Sequence, residues 1–352
     1  MRRVGSATRG VGRRPVRDRA ARSAIFALFP YPRRLRAAVG PLRVAQRFGL
    51  DRRLARSSLP GRLSPVLGAA LRLAPPPPSR PVRLPSRVPA RGPRRAVVGM
   101  LTGCEQAVFF PQVNAAPARV LAMEGCDVVI PSGQGCCGAL SLHSGREAEA
   151  ARFAERTIDA FERAGVDAVI VNSAGCGSAM KEYGRLLGRE RAAGLLGSER
   201  AAAFSGKVRD LSEFLAELGP VAERHPLRLR AAYHDACHLG HAQRITQQPR
   251  DLLRAIPGLE LVELADAGNC CGSAGVYNLL QPETAAELGR RKADAVSAAG
   301  TPVLVSANPG CSLQIASALT VRGEHIQVAH VAEVLDASLR PSAVNGSARQ
   351  GG

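Results

Sequence analysis

The chain has 352 residues, 45% of them hydrophobic, with nine Cys, no Trp and a formal net charge of +19. That length buries a substantial core and suggests two domains or one large one, and no apolar run nears the ~18 residues needed to span a bilayer. The charge is confined to one end: residues 1–95 carry 24 Arg, no Lys and two acids, net +22, whereas the rest of the chain has 24 basic against 27 acidic groups.

At the basic end, Ala24 to Leu50 places apolar residues at helical intervals interrupted by Pro30, Pro32 and Pro41, which predicts two or three short amphipathic helices with arginine on their outer faces. Leu73 to Pro93 is proline-rich and reads as an extended linker. An Arg-rich, acid-poor start has the composition of a transit peptide or of an arm for an anionic membrane. With no Lys among 24 basic residues, a bias towards Arg is the more economical account, and no specific nucleic-acid partner is expected.

From residue 96 strands and helices alternate. β-Branched runs predict strands at 96–101, 127–131 and 168–172, then at 229–234, 259–264 and 302–308; helical patterns fall between them at 145–164 and 282–299, the latter with Pro282 at a favoured first-turn position. Such βαβ succession implies right-handed crossovers and mostly parallel sheets. The fold class expected is α/β, two tandem pseudo-repeated three-layer units behind a short helical Arg/Pro-rich arm. The boundaries are 1–95 for the arm and linker, 96–222 and 223–340 for the two units, and 341–352 for a disordered tail.

Eight of the nine cysteines fall in two matching sets: Cys104, Cys136, Cys137 and Cys176, then Cys237, Cys270, Cys271 and Cys311. Corresponding members lie 133 to 135 residues apart, about one small domain, so a unit has been duplicated with its sulfurs in register. Each cysteine follows a predicted strand within a few residues. Ligands of open α/β sheets bind outside the carboxyl ends of the strands, so four thiols should converge on one edge of each sheet. Disulfides suit small secreted domains, and adjacent cysteines pair poorly because their Cα atoms sit about 3.8 Å apart. A metal remains. Four Cys also suit zinc, but no CxxC occurs, and a vicinal pair diverges in a way that suits several irons, so iron–sulfur ligation is favoured. Cys126 has no counterpart and reads as a buried packing residue.

The motifs Gly135-Cys-Cys-Gly138 with His143, Asn172-Ser-Ala-Gly-Cys176, Lys181-Glu-Tyr-Gly184, Tyr233-His-Asp-Ala-Cys-His238, Cys270-Cys-Gly-Ser-Ala-Gly275 with Tyr277, and Asn308-Pro-Gly-Cys311 resemble the paired cysteine-rich CCG domains of redox subunits. The resemblance is nearest to the iron–sulfur subunit of glycolate oxidase and extends to the heterodisulfide reductase B subunit. It implies an iron–sulfur cluster, 4Fe–4S in type, in an electron-transfer subunit of a 2-hydroxy-acid oxidase complex. It implies FAD on flavin-binding partner subunits rather than on this chain, a quinone or other electron acceptor, and a cytoplasmic location, peripheral at the inner membrane face. The family's usual ferredoxin-like start, with two CxxCxxCxxxCP runs, has no match in residues 1–103, which hold no Cys. Neither set ends in the extra CxxC of the heterodisulfide reductase branch, so four-thiolate ligation is expected.

Around Cys237, His234, His238 and His241 are spaced as on one helical face; His234 and His238 are expected to support the cluster from beside it, and Asp235 to cap a helix. Tyr183, Lys181 and Tyr277 read as packing or partner contacts. No phosphate loop, dinucleotide fingerprint or nucleophile–base pair occurs, which makes the chain an electron conduit rather than a self-sufficient catalyst. The competing expectation is a non-redox module, zinc-binding or metal-free, that scaffolds flavoprotein subunits.

Overall fold

The computed structural model describes residues 16–57, 59–76, 82–189, 194–265 and 267–341; the tail expected to be disordered lies, but for Pro341, outside them. Among the described residues nine strands form two sheets: β1 (Arg87–Val88), β2 (Ala96–Met100), β3 (Cys126–Val129), β4 (Ala168–Val171) and β5 (Val208–Asp210) in order β1-β3-β2-β4-β5, and β6 (Leu229–His234), β7 (Leu259–Glu263), β8 (Val303–Ser306) and β9 (Gln327–His330) in order β7-β6-β8-β9. Without the antiparallel edge strand β1, both sheets are wholly parallel and repeat one topology. The α/β expectation holds. Three strands were not anticipated: β1, β5 and β9 are two to four residues long and lack a β-branched run.

Strand burial follows from parallel pairing. β4 (AVIV) and β8 (VLVS) are covered by helices on both faces and are almost wholly buried, so they read as continuous apolar runs. The helix Glu147–Ala164 buries Ala150, Phe153, Ala154, Thr157, Ile158 and Phe161, has Glu147 and Glu149 in its first turn, and ends at Gly165 in the left-handed conformation. Phe161 packs directly on β2, where a Cβ on Gly99 would sit 2.7 Å from its ring; burying that ring is worth roughly 1.5–3 kcal/mol, and glycine is what permits the approach.

Each sheet closes with the same device. The last strand runs into a helix through a capping box, Asp210 with Glu213 before Leu211–Leu218, and His330 with Glu333 before Val331–Ser338. One hydrophobic cluster spans both halves, including Val98, Val128 and Leu211 from the first and Ala231, Leu304 and Leu335 from the second. Polar contacts reinforce the junction: Ala174 N–H donates to Ala307 O at 3.2 Å, His330 Nε2 donates to Asn172 O at 2.9 Å, and Arg119 grips Asp336 with two bonds of 2.7 Å.

The basic segment is folded onto the body. Helices span Val16–Leu28, Pro32–Arg47, Leu50–Arg56, Leu59–Leu63 and Pro65–Leu73. Ile25 and Ala69 pack on Val276 and Leu279, and Leu35 and Val39 on Val108. Pro30 and Pro32 separate two helices as expected, but Pro41 lies inside Pro32–Arg47. It removes one backbone donor without ending the helix, whose buried face is held by Leu35 and Val39. No helix of the described residues is long and apolar enough to cross a membrane.

Candidate metal centre

In each sheet the first parallel strand, β2 or β6, lies inside, with its successor β3 or β7 to one side and the third, β4 or β8, to the other, which opens a crevice at the strands' carboxyl ends. Cys104 follows β2, Cys136 and Cys137 follow β3, and Cys176 sits in the first turn of Ala174–Met180 after β4. Cys237 follows β6, Cys270 and Cys271 follow β7, and Cys311 sits in the first turn of Pro309–Val321 after β8. All eight line a single cavity of about 120 Å3. Two separate edges were expected; the sheets instead turn their crevices towards each other, because the Asn172–Gly175 and Ala307–Asn308 turns bond across the junction.

The vicinal pairs are held identically. Gly138 and Gly272 have φ of +80° and +91°, and a Cβ there would meet Ala150 O at 2.9 Å and Ala285 O at 2.6 Å. Only glycine fits both demands. The resulting turn points the Gly138 N–H at Cys136 Sγ, 3.3 Å away, and the Gly272 N–H at Cys270 Sγ, 3.4 Å away. Tyr183, fully buried, donates to Cys137 O at 2.6 Å and so anchors the first turn; it has a structural task at the site that packing alone did not suggest. Asn308 donates to Cys311 Sγ at 3.3 Å.

The sulfurs are crowded. Cys104 and Cys136 Sγ lie 3.5 Å apart. All nine cysteines are free. Sharing protons among the crowded sulfurs drives vicinal partners in opposite directions: Cys104, then Cys137 and burial, push Cys136 well up, and Cys270, then Cys311 and burial, push Cys271 up, while hydrogen bonds from Cys136 and Cys176 hold Cys137 down and those from Cys237 and Cys271 hold Cys270 down. A metal would replace those shared protons, since thiolate is the ligating form. Buried thiols with amide donors aimed at sulfur and no disulfide make a donor set that fits a thiophilic metal or an iron–sulfur group. Cys126 is apart from them, fully buried at the start of β3, its thiol raised to about 11 mainly by burial.

The histidines separate. His234 ends β6 and is buried against Cys271 and Cys311, His238 begins a single π-helical turn His238–Ala242, and exposed His241 contacts Gly268 O at 3.1 Å. They do not share a helical face, because His234 belongs to a strand. His238 Nδ1 lies 3.6 Å from Cys237 Sγ, and its ring packs 4.7 Å from that of His143 across the cavity; burial first, then His238, drives His143 down to about 4. Asp235 caps nothing; its carboxylate takes Arg250, which also binds Glu263 and covers Tyr233. Lys181 pairs with Glu213. Glu105 was not singled out in the sequence, yet it lines the cavity, raised to about 7 by burial and then by Cys311; its place beside Cys104 was the available signal.

Family comparison decides what this geometry belongs to. Models of the CCG cysteine-rich domain match residues 98–181 and 231–316, and the linker region of glycolate oxidase iron–sulfur subunits matches 17–74. The chain is 36% identical over 333 residues to the probable glycolate oxidase iron-sulfur subunit of Bacillus subtilis, covering 89% of this chain and 71% of that protein. This chain belongs to the glycolate oxidase iron–sulfur subunit family of CCG proteins. It is also 33% identical to the glycolate oxidase iron-sulfur subunit of Escherichia coli, over 62% of this chain and 53% of that one. With a lactate utilization protein A of Exiguobacterium it shares 30% identity, over 69% of this chain and 98% of that one. The linker match coincides with the helices that pack on Val276, Leu279 and Val108 in this chain.

Proposed function

We propose that this chain is the electron-carrying iron–sulfur subunit of a 2-hydroxy-acid oxidase complex acting on glycolate. The carrying observation is that two duplicated sets of free cysteines, eight in all, line one cavity at the ends of two parallel sheets. In this reading Cys104, Cys136, Cys137 and Cys176 hold one cluster and Cys237, Cys270, Cys271 and Cys311 the other, each of 4Fe–4S type, in two units bounded near 96–222 and 223–340. The clusters supply one-electron redox chemistry at potentials set by ligands, hydrogen bonds and solvent exposure. The chain's part is to hold thiolates, present the Gly138 and Gly272 amides to sulfur, and keep water out with buried walls such as Leu101 and Val276. His238 supports Cys237 from beside it.

Hydride chemistry falls to FAD on flavin-binding partner subunits, and the electrons leave to a quinone or other acceptor, in the cytoplasm at the inner membrane face. Lactate is the competing substrate, supported by the lactate-utilization relative. A zinc-holding scaffold is the second reading, favoured by the compact nitrogen and sulfur group at His234, Cys271 and Cys311. Anaerobic reconstitution followed by metal and acid-labile sulfide analysis separates the two. Iron with sulfide and a redox-dependent paramagnetic signal is expected; colourless protein with stoichiometric zinc overturns the iron reading.

A further inference from the structure

The two halves differ at one buried position beside the sulfurs. Three residues before its first cysteine, the first half has Leu101 and the second His234, 2% and 1% exposed. Among the described residues neither ring nitrogen of His234 finds a hydrogen-bond partner. Leaving two such atoms unpaired in the interior is costly, on the order of 1–3 kcal/mol each, and a buried polar group so placed calls for a missing partner. The ring is not stranded among apolar groups: a nitrogen of His234 and the sulfurs of Cys271 and Cys311 all lie within 4.8 Å of one another.

We propose that His234 donates a ring nitrogen directly to the metal centre of the second half, giving that half five donors where the first has four. The inference rests on the reading that the second half binds metal. A neutral imidazole is a good ligand for iron or zinc, and it enlarges the donor set without adding to the negative charge of the four thiolates. The duplicated unit thereby carries two unlike centres.

The test is pulsed EPR on reduced full-length protein labelled with 15N-histidine, beside His234→Leu, which copies the residue the first half uses. The wild type is expected to show histidine nitrogen coupling on one centre. His234→Leu is expected to lose it while keeping its iron. Should His234→Leu fail to fold, His238→Leu serves as the second variant and is expected to retain the coupling. If the bound metal is zinc, absorption at the zinc edge reads nitrogen at about 2.0–2.1 Å beside sulfur at about 2.3 Å, and His234→Leu is expected to remove the nitrogen. A metal-loaded wild type without histidine nitrogen, or coupling that survives in His234→Leu, overturns this inference alone. Protein that binds no metal overturns the parent reading and this one with it.

Discussion

In the first half the CCG triplet runs straight into a helix, Ala139–His143, whereas in the second half Ser273, Ala274, Gly275 and Val276 intervene before Tyr277–Leu280. Ala274 sits at φ +36° there, a conformation non-glycine residues rarely adopt. Yet the triplet glycines of both halves keep the same left-handed turn, the same amide-to-sulfur bond and the same close contact with a helix carbonyl, Ala150 O in one and Ala285 O in the other. Backbone geometry around the sulfurs is thus the part that duplication kept. The surroundings of the sulfurs are the part that diverged, with Leu101, Glu105 and Ser173 of the first half at the places that His234, His238 and Asn308 take in the second. Where two copies agree, the agreement marks what holding a metal demands; where they differ, it marks what can make two centres unlike.

The strongest way to break that comparison is to remove one thiol from each half. Cys137→Ser and Cys271→Ser are each expected to lower bound iron to about half and to erase one of two sets of paramagnetic signals, because in the proposed assignment each half supplies its own four thiolates. Complete loss of iron from either single variant would show instead that one centre bridges the halves across the common cavity.

Next in size are the triplet glycines. Alanine at 272 meets Ala285 O at 2.6 Å and at 138 meets Ala150 O at 2.9 Å, both at positive φ. Backbone strain and overpacking together cost about 4 kcal/mol for Gly272→Ala and about 3 kcal/mol for Gly138→Ala. Urea unfolding checks the order; equal and small losses would mean that the turns relax freely.

Much of this architecture was legible in the residues. Short apolar runs located six strands, and the spacing of the sulfurs located their carboxyl ends, because a parallel strand buried on both faces has a plain apolar signature. What the pattern could not carry was the relation between the halves. That Asn172 and Ala174 of one bond to His330 and Ala307 of the other depends on backbone groups with no side-chain signature, so two facing sets read as two separate edges. The histidine group was misplaced for a related reason: spacing of four and three imitates a helix face, while β6 extends through His234 before the chain turns. Asp235 looked like a cap because its true partner, Arg250, is 15 residues away.

The contact between halves also carries a titration. His330 accepts from Ala332 N–H through Nδ1 and donates to Asn172 O through Nε2, so it is held neutral, and burial lowers it to about 4. In the unfolded chain it titrates near 6.5. Below that value the unfolded state takes up the proton first, so the stability His330 confers above pH 6.5 declines as pH falls towards 4, by about 2 kcal/mol at pH 5. Asp210, raised to about 6 mainly by burial, works in the opposite sense, gaining stability as pH falls through that value. The difference between wild type and His330→Asn, which keeps a capping side chain, therefore isolates the histidine. The variant is expected to show a shallower loss between pH 6.5 and 4; identical slopes would mean that His330 takes its proton without breaking the junction.

The smallest expected effect concerns the ion pair at the same junction. Arg119 reaches from the helix Pro111–Met123 to Asp336 in Val331–Ser338, with Arg340 on the same carboxylate. The arginine side chain is 48% exposed, the aspartate 9%, so water competes for the pair, and Arg340 still neutralises Asp336 when Arg119 is gone. Arg119→Ala should cost about 1 kcal/mol or less and the loss should shrink with added salt. The halves are joined mainly by one hydrophobic cluster, which salt does not weaken, so the variant should still unfold in a single transition. Two separate transitions in Arg119→Ala would make this pair, rather than the apolar junction, the element that holds the two sets of cysteines face to face.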